Sequence, residues 1–240
     1  MAGSLLTRLA RRAPAGGACT PRLLLQWHVT ERCNLRCRHC YQDRHEGSEL
    51  GLPEQLDVLD QLASLLEEVR ERSGSRRVHA QITLTGGEPF VHEGLSDLID
   101  AIGRRRWRFA LLTNGTLLDR ERVRWLRRRR PRFVQVSVEG GRATHDRIRG
   151  PGSYERALRG VRLLVRAGVP TLLAFTAHRG NASEFASVAR AGCRLGVTRV
   201  WADRLIPCGA GTALHDDVLT PEETRTLFEE MARIRSEAAS

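Results

Sequence analysis

The chain has no lysine, and all 39 of its basic residues are arginine. A net charge of +11 would ordinarily raise the question of nucleic acid. Complete use of arginine in place of lysine reads as coding bias, not as a tuned phosphate-binding surface, so nucleic acid is not expected as a partner. The arginine runs 104–106 and 127–130 fall at the ends of candidate helices, where cations complement the C-terminal dipole and face water. Apolar runs are short, and none approaches the roughly 18 residues needed to cross a bilayer. No membrane partner is expected. Cysteine is scarce, with six residues in 240 and three of those in one loop. That spacing excludes a secreted disulfide framework and suits ligands in a reducing, cytoplasmic compartment. With 41% hydrophobic and 28% charged residues, the chain can bury one sizeable core.

Residues 1–21 differ from the rest. They carry arginines but no acid, with Ala, Gly and Pro after Arg12, and are expected to form a disordered leader. An organelle transit peptide fits the same composition. A secretory signal does not, because Arg8 interrupts the apolar start at Leu5 and Leu6. Cys19 reads as a free thiol.

The most informative segment runs Cys33-Asn34-Leu35-Arg36-Cys37-Arg38-His39-Cys40-Tyr41. Three closely spaced thiolates can hold three irons of a 4Fe-4S cube and leave the fourth open for a small molecule, whereas clusters that only carry electrons usually take four cysteines. Two other readings stand beside this one. A structural zinc site would want a fourth nearby ligand and usually a second knuckle. A thioredoxin-like redox pair would use Cys37 and Cys40 and leave Cys33 unexplained. Covalent haem attachment would need histidine where Tyr41 stands.

From Leu23 onward, short apolar runs alternate with helical patterns. Candidate strands are 23–29, 78–84, 108–113, 133–138, 171–176 and 197–202. Leu56, Leu59, Leu62, Leu66 and Val69 share one face of a helix over 52–72. Further helices are expected over 94–105, 119–129, 153–167 and 182–195, the one over 153–167 ending before Gly168 and Pro170. Thr220-Pro221-Glu222-Glu223 is a good helix start, leading a helix toward Ala239. Six strand–helix units imply a parallel sheet with helices outside it.

The thiol loop, followed by Gly86-Gly87-Glu88-Pro89, resembles the radical S-adenosylmethionine (SAM) superfamily. Thr113-Asn114-Gly115, Ser137-Val138-Glu139-Gly140, the run 145–150 and Arg204-Leu205-Ile206-Pro207-Cys208-Gly209 follow in the order typical of its peptide- and protein-modifying branch. The likeness spans about Leu24 to Gly211. It implies a partial (β/α)6 TIM-like barrel over 22–215, with 216–240 as a C-terminal helix. The motifs then all follow strands, where such barrels keep their active face.

The resemblance also implies roles. Cys33, Cys37 and Cys40 would hold one 4Fe-4S cluster, whose open iron chelates SAM. Gly86, Gly87, Glu88 and Pro89 would bind the methionine amino group, and Tyr41 would pack against the adenine. Ser137 and Arg149 would contact the ribose and carboxylate, with Asn114 and Glu139 in the same cavity. An external one-electron reductant of flavodoxin or ferredoxin type would drive cleavage to a 5′-deoxyadenosyl radical, which abstracts hydrogen from a peptide or small protein. Enzymes of tetrapyrrole or other cofactor biosynthesis remain an alternative, as does a non-catalytic iron-sulfur or zinc remnant. Plain readings also stand: Asn-Gly is a common turn, and Arg149 is one arginine among many.

Two departures matter. Glu139 stands where relatives usually have Asp, so any hydrogen bond made by that carboxylate must be rearranged. The cysteine-rich auxiliary domain of many relatives, called SPASM, has no counterpart in this sequence; Cys193 and Cys208 read as ordinary, buried thiols. The last helix has no following element to pack under, which favours a piece of a longer protein.

Overall fold

The computed structural model describes residues 20–47 and 49–238. Six strands form one parallel sheet in chain order: β1 (Arg22–His28), β2 (His79–Thr85), β3 (Arg108–Thr113), β4 (Val134–Ser137), β5 (Thr171–Ala177) and β6 (Arg199–Arg204). Between them run α1 (Leu52–Ser73), α2 (Leu95–Arg104), α3 (Arg120–Arg129), α4 (Arg142–Arg149), α5 (Ser153–Arg166) and α6 (Phe185–Leu195), with α7 (Pro221–Glu237) after β6. Each crossover moves one strand further along, so the sheet curls into the expected partial (β/α)6 barrel with the helices on its outside.

Strand alternation divides the molecule into a core and a cleft. On β1, Leu23, Leu25 and Trp27 pack toward the helices, which leaves Leu24, Gln26 and His28 on the opposite face. On β5, Leu173, Phe175 and Ala177 are buried against the helices, while Thr176 borders the cleft. Ile82, Leu84, Leu111, Val134 and Val136 continue the same layer against Leu59, Leu98, Ile102, Leu126 and Leu164. Each such side chain contributes roughly 1.5–3 kcal/mol on burial.

Helix starts and stops follow the sequence signals. The Thr220 hydroxyl accepts from Glu223 N (3.2 Å) and the Glu223 carboxylate accepts from Thr220 N (2.7 Å), closing a reciprocal cap at the start of α7. Asp119 accepts from Arg122 N (2.8 Å) to start α3. Both arginine runs lie at helix ends as expected; Arg129 pairs with Asp100 (2.8 Å) and stacks 4.6 Å over Trp125.

Three features differ from the expectations. Helix α4 appears where only a motif was expected. The helix expected over 182–195 starts as a 3-10 turn, Ala182–Glu184, and a longer 3-10 segment occupies Gly209–Asp217. Cys193 and Cys208 are exposed, not buried, since one sits on α6 and the other in the loop after β6. The expected leader falls outside the described residues except for Thr20 and Pro21, and the Pro21 carbonyl accepts from His79 N (2.9 Å). Among the described residues no helix is long and apolar enough to cross a membrane.

Candidate functional site

Pairing of β1 with β2 continues past both strands. Val29 N donates to the Thr85 carbonyl (2.9 Å), Gly87 N to Thr30 (2.7 Å) and Glu88 N to Arg32 (2.9 Å). These bonds bring the thiol loop and the Gly-Gly-Glu-Pro segment together over the carboxyl ends of the strands. The glycines are required for that approach. A Cβ on Gly87 would lie 2.6 Å from the Arg32 carbonyl carbon and 2.7 Å from the Glu31 oxygen, and one on Gly86 would strike Thr30 backbone.

The thiol loop is tied down from several sides. Arg38 N donates to the Ile148 carbonyl at the end of α4 (2.9 Å), and Gly211 N donates to Cys40 (2.9 Å). Asn34 donates to the Thr116 hydroxyl (2.9 Å) and accepts from Asn114 Nδ2 (2.9 Å), which also lies 3.8 Å from Cys33 Sγ. The Asn114 side-chain oxygen accepts from Thr116 N (2.9 Å), so this residue both makes the expected Asn-Gly turn and braces the loop.

A cleft of about 770 Å³ opens over the strand ends. That is within the range of roughly 300–1,000 Å³ typical of small-molecule and cofactor sites. Cys33, Cys37, Cys40, Tyr41, Gly86, Gly87, Asn114, Ser137 and Arg149 all line it. The Tyr41 hydroxyl donates to the Gly86 carbonyl (2.7 Å) and lies 3.1 Å from His28 Nδ1, fixing the ring at the cleft edge. Three residues expected in the cofactor site are not among those that line the cleft. Pro89 is buried at the start of a 3-10 turn. Glu88 is fully buried behind the lining and accepts from the Thr113 hydroxyl (2.7 Å), Asn114 N (2.8 Å) and Phe90 N (3.2 Å). Burial pushes its carboxyl up while these donors pull it back.

Glu139 is the third, and it is the hub of a network that spacing alone did not reveal. Its Oε1 accepts from Arg149 Nε (2.9 Å) and Nη2 (2.6 Å), and its Oε2 from Thr176 N (2.8 Å). His39, buried within the thiol loop, brings Nε2 to 3.2 Å of Glu139 Oε1, at ion-pair distance. Burial alone would raise the Glu139 carboxyl, but the Arg149 cation and His39 hold it well below the usual carboxylate range. Arg149 is only 12% exposed and also directs Nη1 at Cys37 Sγ (3.7 Å).

His145 backs this network. It is completely buried, and its Nδ1 accepts from Glu139 N (3.1 Å). Burial, then the Arg149 cation, lowers its pKa from 6.5 to about 4. The folded ring therefore stays neutral where the unfolded chain binds a proton. Stability is full above pH 6.5 and falls with pH down to about 4, a loss of roughly 3 kcal/mol. In His145→Asn, where the amide oxygen can still accept from Glu139 N, denaturant midpoints at about pH 5 and about pH 7 should differ less than in the wild type.

The donor set fits an iron-sulfur cluster. Three soft thiols face one cleft, and burial pushes each of them up, so metal binding would be what deprotonates them. Among the described residues no three His, Cys, Asp or Glu side chains converge closely enough to hold a single ion.

Residues 27–190 match the family model described as the Radical SAM superfamily. The chain is 31% identical over 203 residues to Fe-coproporphyrin III synthase of Methanosarcina barkeri, covering 83% of this chain and 48% of that protein. It is 28% identical over 212 residues to mycofactocin maturase MftC of Mycolicibacterium smegmatis, covering 86% and 51%. The crystal structure of Streptococcus suis SuiB bound to precursor peptide SuiA superposes with a TM-score of 0.70 at 12% identity, over 92% of this chain and 47% of that one, a likeness of fold. The chain spans about half the length of the curated relatives it matches. Because the matched stretch begins in β1, takes in the whole thiol loop and runs into α6, the chain belongs to the radical SAM superfamily.

Proposed function

We propose that this chain is the barrel of a radical SAM enzyme that modifies a peptide substrate, such as a ribosomally made natural-product precursor, by hydrogen abstraction. The observation that carries the peptide reading is the cleft's low net charge. Arg149 is neutralised by Glu139, and Asp203 with Arg204 adds one charge of each sign. The remaining wall includes Gln26, Gln135, Ser137 and Thr176, uncharged groups that suit backbone amides better than a polyanion. Trp201 Nε1 donates to Gln135 Oε1 (3.0 Å) and orients that side chain. The structural likeness to a peptide-bound neighbour is consistent with this reading.

Cys33, Cys37 and Cys40 would hold one 4Fe-4S cluster, and SAM would lie against Tyr41, Gly86, Gly87, Asn114 and Ser137. Once bound and reduced by an external flavodoxin- or ferredoxin-type donor, the pair supplies a 5′-deoxyadenosyl radical. The chain's own work is to orient the cofactor and keep water away: Tyr41 closes one edge of the cleft, while Glu88 and Glu139 hold the lining rigid from behind.

A second reading, tetrapyrrole modification, is favoured by relatives such as Fe-coproporphyrin III synthase and pre-heme d1 synthase, at 31% and 32% identity. One experiment separates the two. Anaerobically reconstituted, reduced protein is given SAM with either a short peptide encoded beside its gene or an iron porphyrin, and 5′-deoxyadenosine and product mass are followed. Peptide-dependent deoxyadenosine with a mass change in the peptide is the expected result. Porphyrin-dependent turnover would replace the peptide reading, and no SAM cleavage at all would mark a non-catalytic remnant.

A further inference from the structure

Arg149 stands at the end of α4, and its guanidinium is almost wholly spoken for. Nε and Nη2 both donate to Glu139 Oε1, at 2.9 and 2.6 Å, and Nη1 points at Cys37 Sγ at 3.7 Å. Glu139 cannot follow a swinging arginine, because Thr176 N donates to its second oxygen (2.8 Å) and His39 Nε2 lies 3.2 Å from its first. The backbone repeats the linkage, since Arg38 N donates to the Ile148 carbonyl (2.9 Å) one residue before Arg149. Two residues of the thiol loop, Cys37 and His39, thus meet a single buried ion pair. Releasing the guanidinium to clasp a ligand in the cleft would leave Glu139, which is 0% exposed, a buried charge without its partner, a costly state.

We propose that Arg149, clamped by Glu139, is a positioning residue for the cluster ligand Cys37, and that it sets how readily the cluster accepts an electron instead of serving as the clasp for the SAM carboxylate. This rests on the reading of the thiol loop as a 4Fe-4S site. A cation with an N–H aimed at a ligating sulfur favours the more negative, reduced cluster, because hydrogen bonds to sulfur and nearby charge are among the levers that set cluster potentials. Glu139 contributes by fixing the direction in which the guanidinium points. Lysine in place of Arg149 would keep the charge, but its compact ammonium lacks the planar fork that serves Glu139 and Cys37 together.

The test uses the full chain, anaerobically reconstituted without SAM, in wild type, Arg149→Gln and Arg149→Lys. Iron content is measured first, and the reduced fraction is then followed by electron paramagnetic resonance in a redox titration. With iron content equal to wild type, Arg149→Gln should lower the reduced-to-oxidised ratio at the wild-type midpoint by about tenfold or more, which is about 59 mV for one electron, and Arg149→Lys should shift it less. SAM affinity of the oxidised protein, read by equilibrium dialysis, should change by less than about threefold in Arg149→Gln. A ratio within about threefold of wild type in Arg149→Gln would overturn the proposal. So would an unshifted potential accompanied by a large loss of SAM affinity, which would return the guanidinium to the cofactor. If the wild type takes up no four-iron cluster, the underlying reading of the thiol loop fails, and the proposal with it. If Arg149→Gln does not fold, the Arg149→Lys titration decides alone, and a potential equal to wild type there overturns the proposal.

Discussion

Replacing Cys33, Cys37 and Cys40 together by alanine is expected to leave a folded chain that binds no iron. Each substitution removes one sulfur atom, and the loop is held by bonds that do not involve those sulfurs: Arg38 N to Ile148, Gly211 N to Cys40 O, Asn34 to Thr116 and Gly87 N to Thr30. The loss should therefore be of ligands and not of fold. Reconstituted wild type should take up about four irons per chain with the broad absorbance of a four-iron cluster, and the triple variant none. Circular dichroism of the two proteins should overlay. Four-iron absorbance surviving in the variant would refute the assignment, and a wild type that takes up one zinc and no iron would move the loop to the structural-metal reading.

Much of the barrel could be read before the structure, and the failures have identifiable causes. The six strands lie within two residues of their expected bounds, because each is a short apolar run between turn residues and the sheet is simply sequential. Helix α4 escaped notice because Arg-Ala-Thr-His-Asp-Arg-Ile-Arg offers no apolar stripe; its inward face is Thr144, His145 and Ile148. Its stability comes from contacts made after folding, such as His145 with Glu139 N. The thiols, Tyr41, Asn114, Ser137 and Arg149 were placed on the cleft by their position after strands. The roles behind the lining were not legible. Glu88 and Glu139 look like site carboxylates in a motif, and only the fold shows that their oxygens are occupied by donors that include Thr113 and Asn114 for Glu88 and Arg149 and Thr176 for Glu139. His39 gave no signal either, since its partner Glu139 lies far along the chain and meets it only when β4 and the thiol loop converge. A histidine set between two ligating cysteines is the one clue the sequence holds.

Gly87→Ala should be among the most damaging single substitutions in the chain, although it adds only one carbon. The added Cβ would sit 2.6 Å from the Arg32 carbonyl carbon and 2.7 Å from the Glu31 oxygen, and it would run still closer to the Arg32 oxygen. These are backbone atoms, so no rotamer change relieves the clash; the two segments must separate. Separation would break Gly87 N to Thr30 (2.7 Å) and Glu88 N to Arg32 (2.9 Å), and would strain the three hydrogen bonds that satisfy the buried Glu88 carboxylate. Overpacking and loss of buried hydrogen bonds together should cost about 3 kcal/mol or more. For a domain of this size, that corresponds to a fall in Tm of roughly 6–12 °C. Because the parted segments are the ones that carry the thiol loop, iron uptake should fall along with stability, unlike in the triple cysteine variant, where iron is lost and the fold is kept. Gly103→Ala gives the matched control: it lies within α2, a Cβ there meets nothing within 4 Å, and alanine should raise stability by up to about 1 kcal/mol through helix propensity. Thermal unfolding of the two variants beside the wild type would decide the matter. A Gly87→Ala protein that melts with the wild type would mean that the Thr30–Arg32 and Gly86–Glu88 segments are free to part, and the cleft would then have to be assembled by its ligands and not by the barrel.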